Sequence, residues 1–297
     1  MSRVAYVNGQ YVPHREAAVH VEDRGYQFAD GVYEVIAVSR GALIDEEGHM
    51  IRLERSLDEL RIARPMGRPA LAHIMREVVR RNRVVDGIIY IQMTRGVAPR
   101  DHAFPAAAET AVVMTAKRTK AASPTLMRDG AKVITIPDIR WERCDIKTVA
   151  LLPNCLGKQQ AREAGALEAW QVDERDGMVT EGTSTNAWIV TADGEVVTRK
   201  ADNAILNGIT RIAVLQIIAQ QQGLKFVERP FTVEEAKQAR EAFITSTTAF
   251  VTPIVRIDDA TVGDGKPGPV ARSLREAYLV HMAEQGTGQG AGQGRAA

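Results

Sequence analysis

Residues 140–155 of the chain read RWERCDIKTVALLPNC, and in this stretch a single lysine separates charged residues from an apolar run. Lys147 follows Arg143 and Asp145 and precedes residues 149–152, which are Val, Ala, Leu and Leu. A lysine held against apolar surface near another cation has its ammonium form disfavoured, so more of the nucleophilic amine is present near neutral pH. The stretch therefore indicates a lysine that could attack a carbonyl carbon. The alternative is a surface lysine on a loop or strand edge, which is the commoner situation of a lysine.

The composition is that of an enzyme-sized globular chain, since 45% of its 297 residues are hydrophobic and 25% are charged. This length favours two domains. The formal net charge of +1 leaves no basic excess for a phosphate backbone, which argues against nucleic-acid binding. The sequence has no long apolar window and no signal-peptide pattern, so we expect a cytoplasmic protein without a membrane partner. The two cysteines and six histidines lack metal-ligand spacing, so we expect free thiols and no metal site.

The N-terminal segment predicts β-structure. Residues 4–12 alternate around Asn8 and Gly9, a pair that tolerates the positive φ of a two-residue hairpin turn. Further along, charged residues and glycines precede a predicted strand that carries Tyr33. Tyr33 is either a half-buried strand aromatic or a residue that contacts a ligand.

The next segment predicts an amphipathic helix. Leucines at helical spacing within residues 49–60 define its apolar face and place Arg52 and Arg55 on other faces. Either guanidinium could bind an anion near the start of the helix, although most arginines in such positions are solvated.

A loop bracketed by Pro99 and Pro105 follows a predicted buried strand. Arg100 and His102 lie two residues apart in it. A guanidinium and an imidazole in this arrangement could hold one carboxylate, the arginine by a bidentate pair. The alternative is an exposed loop with ordinary charges.

The composition of residues 117–124 is typical of a linker, and we place a domain boundary there. The predicted organisation is an N-terminal α/β domain over residues 1–118, a linker over 119–123 and a C-terminal domain over 124–284. Residues 285–297 are rich in Gly, Gln, Thr and Ala and predict a disordered tail, because they cannot bury a core.

The C-terminal domain contains a carboxylate and a predicted anion site. Glu181 ends a predicted strand and is followed by a turn of small residues. Gly208 and Thr210 precede a helix predicted for residues 212–222, so backbone N–H groups and a hydroxyl lie at a helix N-terminus, which suits a phosphate. Simple capping by Asn207 or Thr210 explains the pattern equally well.

Residues 245–248 read TSTT and place four hydroxyl side chains where a predicted strand ends. So many hydroxyls suggest contacts with an anion. A solvated strand edge is the competing interpretation.

Together these features match the needs of one cofactor, pyridoxal 5′-phosphate. Its aldehyde binds a lysine, its pyridine nitrogen needs a carboxylate partner, and its phosphate needs N–H groups and hydroxyls. Lys147, Glu181 and the predicted helix N-terminus supply these groups, and the Arg100–His102 loop supplies a clamp for a substrate carboxylate.

The chain resembles the fold-type IV pyridoxal-phosphate enzymes of the branched-chain aminotransferase superfamily, and within it the D-amino-acid transaminases. The resemblance covers about residues 3–256 and depends on seven motifs in the same order: residues 23–28, 30–35, 99–102, 143–147, 180–182, 206–211 and 245–248. It implies a two-domain α+β or α/β architecture of fold type IV, in which residues 124–284 form the cofactor-binding domain.

The resemblance also implies roles for individual residues. Lys147 would hold the cofactor covalently and carry the substrate proton, and Glu181 would pair with the pyridine nitrogen. Leu206 would pack against the cofactor ring. The phosphate would be held by Arg52, Ile209, Thr210 and Thr247.

In D-amino-acid transaminases, the positions that match Tyr33, Arg100 and His102 bind the α-carboxylate. The last two extend from the partner subunit, so the resemblance implies a homodimer with shared active sites. The implied reaction moves the amino group between D-amino acids, such as D-alanine, and 2-oxo acids, such as 2-oxoglutarate, by a ping-pong mechanism.

Two alternatives stay open on the sequence alone. Another fold-type IV enzyme would share the lysine and the glutamate: a branched-chain L-amino-acid transaminase, an (R)-amine transaminase or an aminodeoxychorismate lyase. A catalytically silent carboxylate- or phosphate-binding protein could also keep the fold, but retention of both Lys147 and Glu181 argues against it.

Overall fold

The computed structural model of the protein describes residues 3–119, 124–221 and 223–288. The described residues form two compact units. Unit 1 comprises residues 3–119, 146–150 and 282–288, and unit 2 comprises residues 124–145, 151–221 and 223–281. Most of the predicted linker (120–123) and most of the predicted tail (289–297) lie outside the described residues.

Unit 1 contains a six-stranded sheet with α-helices. Its strands are β1 (Val4–Val7), β2 (Gln10–Pro13), β3 (Gly31–Ser39), β4 (Ala42–Leu43), β5 (Gly87–Thr94) and β6 (Ala111–Arg118), and its helices are α1 (Arg24–Phe28), α2 (Glu46–Glu59) and α3 (Arg68–Arg81). The strand order is β2-β1-β6-β5-β3-β4, and every pairing is antiparallel. The predicted hairpin is confirmed, because Asn8 (φ 44°) and Gly9 (φ 92°) form the turn between β1 and β2.

The core of unit 1 places β3 against α2. Val32 and Ile36 project from one face of β3 and are fully buried with Leu53 and Leu57 of α2. Glu34 lies on the same face, because side chains two residues apart on a strand point the same way. A carboxylate is thereby carried into an apolar core.

Unit 2 contains a nine-stranded mixed sheet. Its strands are β7 (Ala131–Pro137), β8 (Glu168–Asp173), β9 (Met178–Gly182), β10 (Asn186–Val190), β11 (Glu195–Thr198), β12 (Lys225–Glu228), β13 (Glu241–Ser246), β14 (Phe250–Ile257) and β15 (Ala260–Thr261). Its helices are α4 (Pro124–Asp129), α5 (Leu152–Glu163), α6 (Ile209–Gln220), α7 (Val233–Lys237) and α8 (Pro269–Gly288), of which the last turns of α8 belong to unit 1. The strand order is β12-β11-β10-β13-β14-β7-β8-β9, with β15 paired to β14.

Two helix boundaries differ from the prediction. Helix α6 begins at Ile209, three residues before the predicted start at 212, because Gly208 has the extended backbone of an N-cap (φ −64°, ψ 136°). Helix α8 extends to Gly288, so the first residues of the predicted tail are helical. Across the described ranges, none of the helices combines the length and the apolar character needed to cross a membrane.

Candidate active site

Lys147 lies in a short segment of unit 1 that pairs with β3. The backbone N–H of Tyr33 donates to the carbonyl of Lys147 (2.9 Å), and the N–H of Val149 donates to Gly31 (3.0 Å). The N–H of Lys147 donates to the hydroxyl of Ser56 (3.3 Å). Hydrogen bonds therefore fix the backbone on both sides of the lysine side chain.

The amine of Lys147 lies over an aromatic ring. Its Nζ atom is 4.3 Å from the ring centroid of Tyr33. Tyr33 also contacts Tyr90, with 5.7 Å between ring centroids. The structure thus brings together two of the residues that the sequence analysis selected, Lys147 and Tyr33.

Arg52 is buried and paired with a carboxylate that the sequence analysis missed. Its Nε and Nη2 atoms donate to Glu34 at 2.8 and 2.9 Å, and Nδ1 of His49 lies 2.7 Å from the second oxygen of Glu34. Burial alone would raise the pKa of Glu34, but the charge and hydrogen bonds of Arg52 and His49 outweigh it and hold the pKa well below its usual range. Burial lowers the pKa of His49. The inward position of Glu34 on the alternating strand β3 was the signal for this pair.

Replacing Glu34 with glutamine is expected to destabilise the protein by about 3 kcal/mol at neutral pH, because the buried guanidinium of Arg52 loses its counterion. Since the pKa of Glu34 in the fold lies below the ordinary 4.5, its stabilisation is complete above that value and declines as the pH falls below it. Thermal unfolding of the wild type and E34Q between pH 3 and pH 8, with the exposed Glu59→Gln as control, measures this difference. A difference that is constant with pH would contradict the ionic explanation.

Arg100 and His102 lie in an exposed loop of unit 1 against one aromatic ring. The guanidinium carbon of Arg100 is 4.6 Å from the ring centroid of Phe28, and the ring of His102 is 5.4 Å from it. The three predicted carboxylate ligands therefore have two sets of contacts: Tyr33 with Lys147, and Arg100 and His102 with Phe28.

Glu181 lies near the end of β9 in unit 2 and is almost fully buried. Its carboxylate accepts hydrogen bonds from the N–H of Leu206 (3.2 Å to each oxygen) and from the side-chain amide of Asn186 (3.0 Å). It also forms an ion pair with Arg140, whose side chain is 7% exposed. Glu181 is thus held in one orientation from three sides.

Arg140 connects Glu181 to a second carboxylate. It donates to Asp138 through Nε and Nη2 (2.9 and 2.7 Å). Burial would lower the pKa of Arg140, but Glu181 and Asp138 keep it above its ordinary value, so the guanidinium stays charged. Nearby, burial raises the pKa of Cys144 to about 12, so this thiol is not a nucleophile at neutral pH.

The N-terminus of α6 forms a close turn beside Asn186. A Cβ atom on Gly208 would lie 2.1 Å from the side-chain oxygen of Asn186, so only glycine fits. The first N–H groups of a helix, here those of Ile209 and Thr210, have no acceptor within the helix and favour an anion. The side chain of Asn186 also donates to the carbonyl of Leu206 (2.9 Å), which links this turn to Glu181.

The hydroxyl cluster at residues 245–248 is divided. Thr245 is buried and accepts a hydrogen bond from the indole N–H of Trp188 (2.9 Å), so it belongs to the core. Ser246 accepts from the N–H of Ala249 (3.1 Å) and closes the turn. Thr247 lies half-buried in that turn.

The residues present fit pyridoxal 5′-phosphate. The donor set contains an amine on a fixed backbone, a carboxylate held from three sides and a helix N-terminus whose N-cap tolerates no Cβ atom. These groups match the aldehyde, the pyridine nitrogen and the phosphate of the cofactor.

Comparisons with known proteins extend over nearly the whole chain. The sequence model of the family described as Amino-transferase class IV matches residues 31–257. A curated D-alanine aminotransferase of Bacillus licheniformis is 43% identical over 271 residues, which cover 91% of this chain and 94% of that protein. The D-alanine aminotransferase of Staphylococcus haemolyticus is 41% identical over 277 residues, with 93% and 97% covered.

The fold also matches a solved structure. The branched-chain amino acid aminotransferase of T.th., solved with pyridoxamine 5′-phosphate, superposes with a TM-score of 0.87 at 29% sequence identity. The match covers 95% of each chain.

Proposed function

We propose, from the premise that the chain belongs to the amino-transferase class IV family, that it exchanges the amino group between D-amino acids such as D-alanine and 2-oxo acids such as 2-oxoglutarate. The protein is a pyridoxal-phosphate-dependent aminotransferase of fold type IV, which confirms the fold class, cofactor and reaction predicted from the sequence. The observation that carries the D-amino-acid assignment is the 43% identity to a D-alanine aminotransferase over 91% of the chain.

Lys147 is the proposed catalytic residue. When bound, the cofactor supplies an electron sink that makes the Cα–H bond of the amino acid acidic. The amine of Lys147 holds the cofactor covalently in the resting enzyme and, once displaced, removes the α-proton of the substrate and returns it to the cofactor carbon. The backbone bonds to Tyr33 and Ser56 support this role, because they fix the point from which the amine extends.

Glu181 is the proposed partner of the pyridine nitrogen. A carboxylate there keeps the nitrogen protonated, and the hydrogen bonds from Leu206 and Asn186 orient it. Leu206 is proposed to pack against the cofactor ring. The proposed phosphate ligands are Arg52, Ile209, Thr210 and Thr247.

Tyr33, Arg100 and His102 are the proposed ligands of the substrate carboxylate, the last two from the partner subunit of a homodimer. Exposed apolar side chains flank their loop and support an interface there: Val21 is 72% exposed and Tyr26 76%. Contiguous apolar surface of this kind marks contacts between proteins. The molar mass in solution tests this proposal, and a mass of 32.5 kDa for the active species would contradict it.

The cytoplasmic location and the domain division at residues 119–123 are also proposals. Cys144 and Cys155 are both free thiols, which is the usual state of cysteine in a reducing compartment.

The proposed substrate is tested by two parallel assays with 2-oxoglutarate, one with D-alanine and one with L-leucine as amino donor. D-Alanine is expected to react faster. Faster turnover of L-leucine would overturn the proposed stereochemistry and favour a branched-chain aminotransferase. The same preparation distinguishes a silent binding protein, because such a protein would show neither the visible absorption of a lysine-bound cofactor nor fixation of the cofactor by borohydride.

A further inference from the structure

The loop that carries Arg100 and His102 is held from below by a buried arginine of α1. Arg24, whose side chain is 3% exposed, donates from Nη1 to the carbonyls of Asp101 (2.6 Å) and Ala103 (3.3 Å) and from Nη2 to that of His102 (3.4 Å). Three successive carbonyls of the loop thus bind one guanidinium. A planar fork with five donors can do this, and a single ammonium cannot.

Arg24 is itself anchored by a buried carboxylate. Its Nε atom donates to Asp30 (2.8 Å), and Arg95 donates to the same carboxylate through Nε and Nη2 (2.7 and 2.9 Å). Asp23 caps α1 by accepting from the N–H of Gly25 (2.8 Å) and is held by the hydroxyl of Thr94 (2.9 Å).

The electrostatic character of this cluster suits a nearby anion. Two guanidinium groups share the single carboxylate of Asp30, which leaves one positive charge, and the pKa of Asp30 is lowered by both arginines against the effect of burial. The remaining N–H groups are directed to carbonyl oxygens: Arg95 donates to those of Leu60 and Arg61 (2.8 and 2.9 Å), and Arg24 to those of the loop. Carbonyl dipoles solvate this charge without cancelling it.

The side chains of the loop are oriented by Phe28, one turn after Arg24. The guanidinium of Arg24 is 4.8 Å from the ring centroid of Phe28 and that of Arg100 is 4.6 Å from it. His102 contacts the same ring. The ring therefore lies among the arginine that holds the loop backbone and the two side chains that the loop presents.

We infer that Arg24 and Phe28 are positioning residues for substrate-carboxylate binding: Arg24 fixes the backbone at residues 101–103, and Phe28 orients Arg100 and His102. This inference rests on the proposed function, because it takes Arg100 and His102 as the carboxylate ligands. Neither positioning residue touches the substrate. Both hold the loop ready before substrate arrives, so that binding does not have to order it.

The test compares Arg24→Lys with Arg95→Lys in the cofactor-loaded enzyme. Both variants weaken the same buried cluster around Asp30, but only Arg24 binds the carbonyls of the loop, so R95K is the matched control. For R24K we expect the KM of D-alanine, and the inhibition constant of propanoate as a carboxylate without an amine, to rise about tenfold or more. The kcat should change little, because the lost interactions hold ground state and transition state alike.

A second variant keeps the test decisive if R24K does not fold. Phe28→Leu retains the hydrogen bonds of Arg24 and removes the ring, and it is expected to raise the same two constants. If R24K is folded but raises them no more than R95K does, or if F28L leaves them at the wild-type values, the inference is overturned.

A double variant separates this inference from the proposed function. In the background R100A/H102A, R24K is expected to have no further effect on the KM of D-alanine, because residues that act through one another are not additive. A further increase there would overturn the inference alone. If R100A/H102A itself leaves the KM unchanged, the proposed carboxylate ligands are wrong and the inference fails with them.

Discussion

Replacement of Lys147 with alanine is expected to lower the rate of transamination by at least about 10⁴-fold, because one amine both holds the cofactor and carries the substrate proton. The fold should survive. The N–H and the carbonyl of residue 147 keep their hydrogen bonds to Ser56 and Tyr33, which do not involve the side chain. The loss of the cation from the ring of Tyr33 costs about 1 kcal/mol.

The measurement is the rate of 2-oxo acid formation from D-alanine, together with borohydride reduction and mass spectrometry of the labelled peptide. Lys117→Ala, an exposed lysine near the end of β6, is the control and should leave activity and labelling unchanged. Lys147→Arg keeps a cation near Tyr33 but has no reactive amine, so it should be as inactive as K147A. Label at another lysine, or residual activity above about one hundredth of the wild type, is incompatible with the proposed role.

Replacement of Glu181 with glutamine is expected to lower kcat by about 10²- to 10³-fold, because a neutral amide cannot hold a proton on the pyridine nitrogen. Glutamine keeps the size of the side chain and can still accept from the N–H of Leu206. The cofactor should therefore remain bound, with a changed visible absorption. E181A should in addition lose about 3 kcal/mol of stability, because Arg140 loses one of two buried counterions.

Single-turnover kinetics with D-alanine and thermal unfolding measure the two effects separately. Glu174→Gln removes the same charge from an exposed position in the turn between β8 and β9, and it should change neither. If E181Q has the kcat of the wild type, Glu181 does not act on the cofactor nitrogen.

Local sequence patterns predicted the parts of the structure that depend on neighbours in the chain. Asn8 and Gly9 form the predicted hairpin turn because both have positive φ. Gly165 (φ 65°) follows the last turn of α5, as predicted for a helix end. In both cases the signal lies in the residue type and its immediate neighbours.

The pairing of distant charges could not be predicted in this way. Glu34 and Arg52 are eighteen positions apart in the sequence and form a bidentate pair, and Arg140 binds Glu181 forty-one positions away. Such pairs depend on the strand register and on the helix that packs over the strand, which local periodicity does not specify. Arg143 and Asp145, which flank the lysine segment, instead bind one another at 3.0 Å.

The anchoring of the predicted carboxylate loop was missed for the same reason. Arg24 and Phe28 are one helical turn apart, but their contacts are with residues 100–103. The sequence showed the two side chains that could bind a carboxylate. It did not show what holds them, because the support comes from another part of the chain.

The course of the chain through residues 146–150 limits how the protein can be divided for engineering. A fragment that stops at residue 119 carries β3 without the lysine segment that pairs with it, and a fragment that begins at residue 124 carries Lys147 without those partners. Split-enzyme reporters and circular permutants should therefore open the chain elsewhere. The turn at Gly194, where φ is 83° and an added Cβ atom would meet open space, is a better position for new termini.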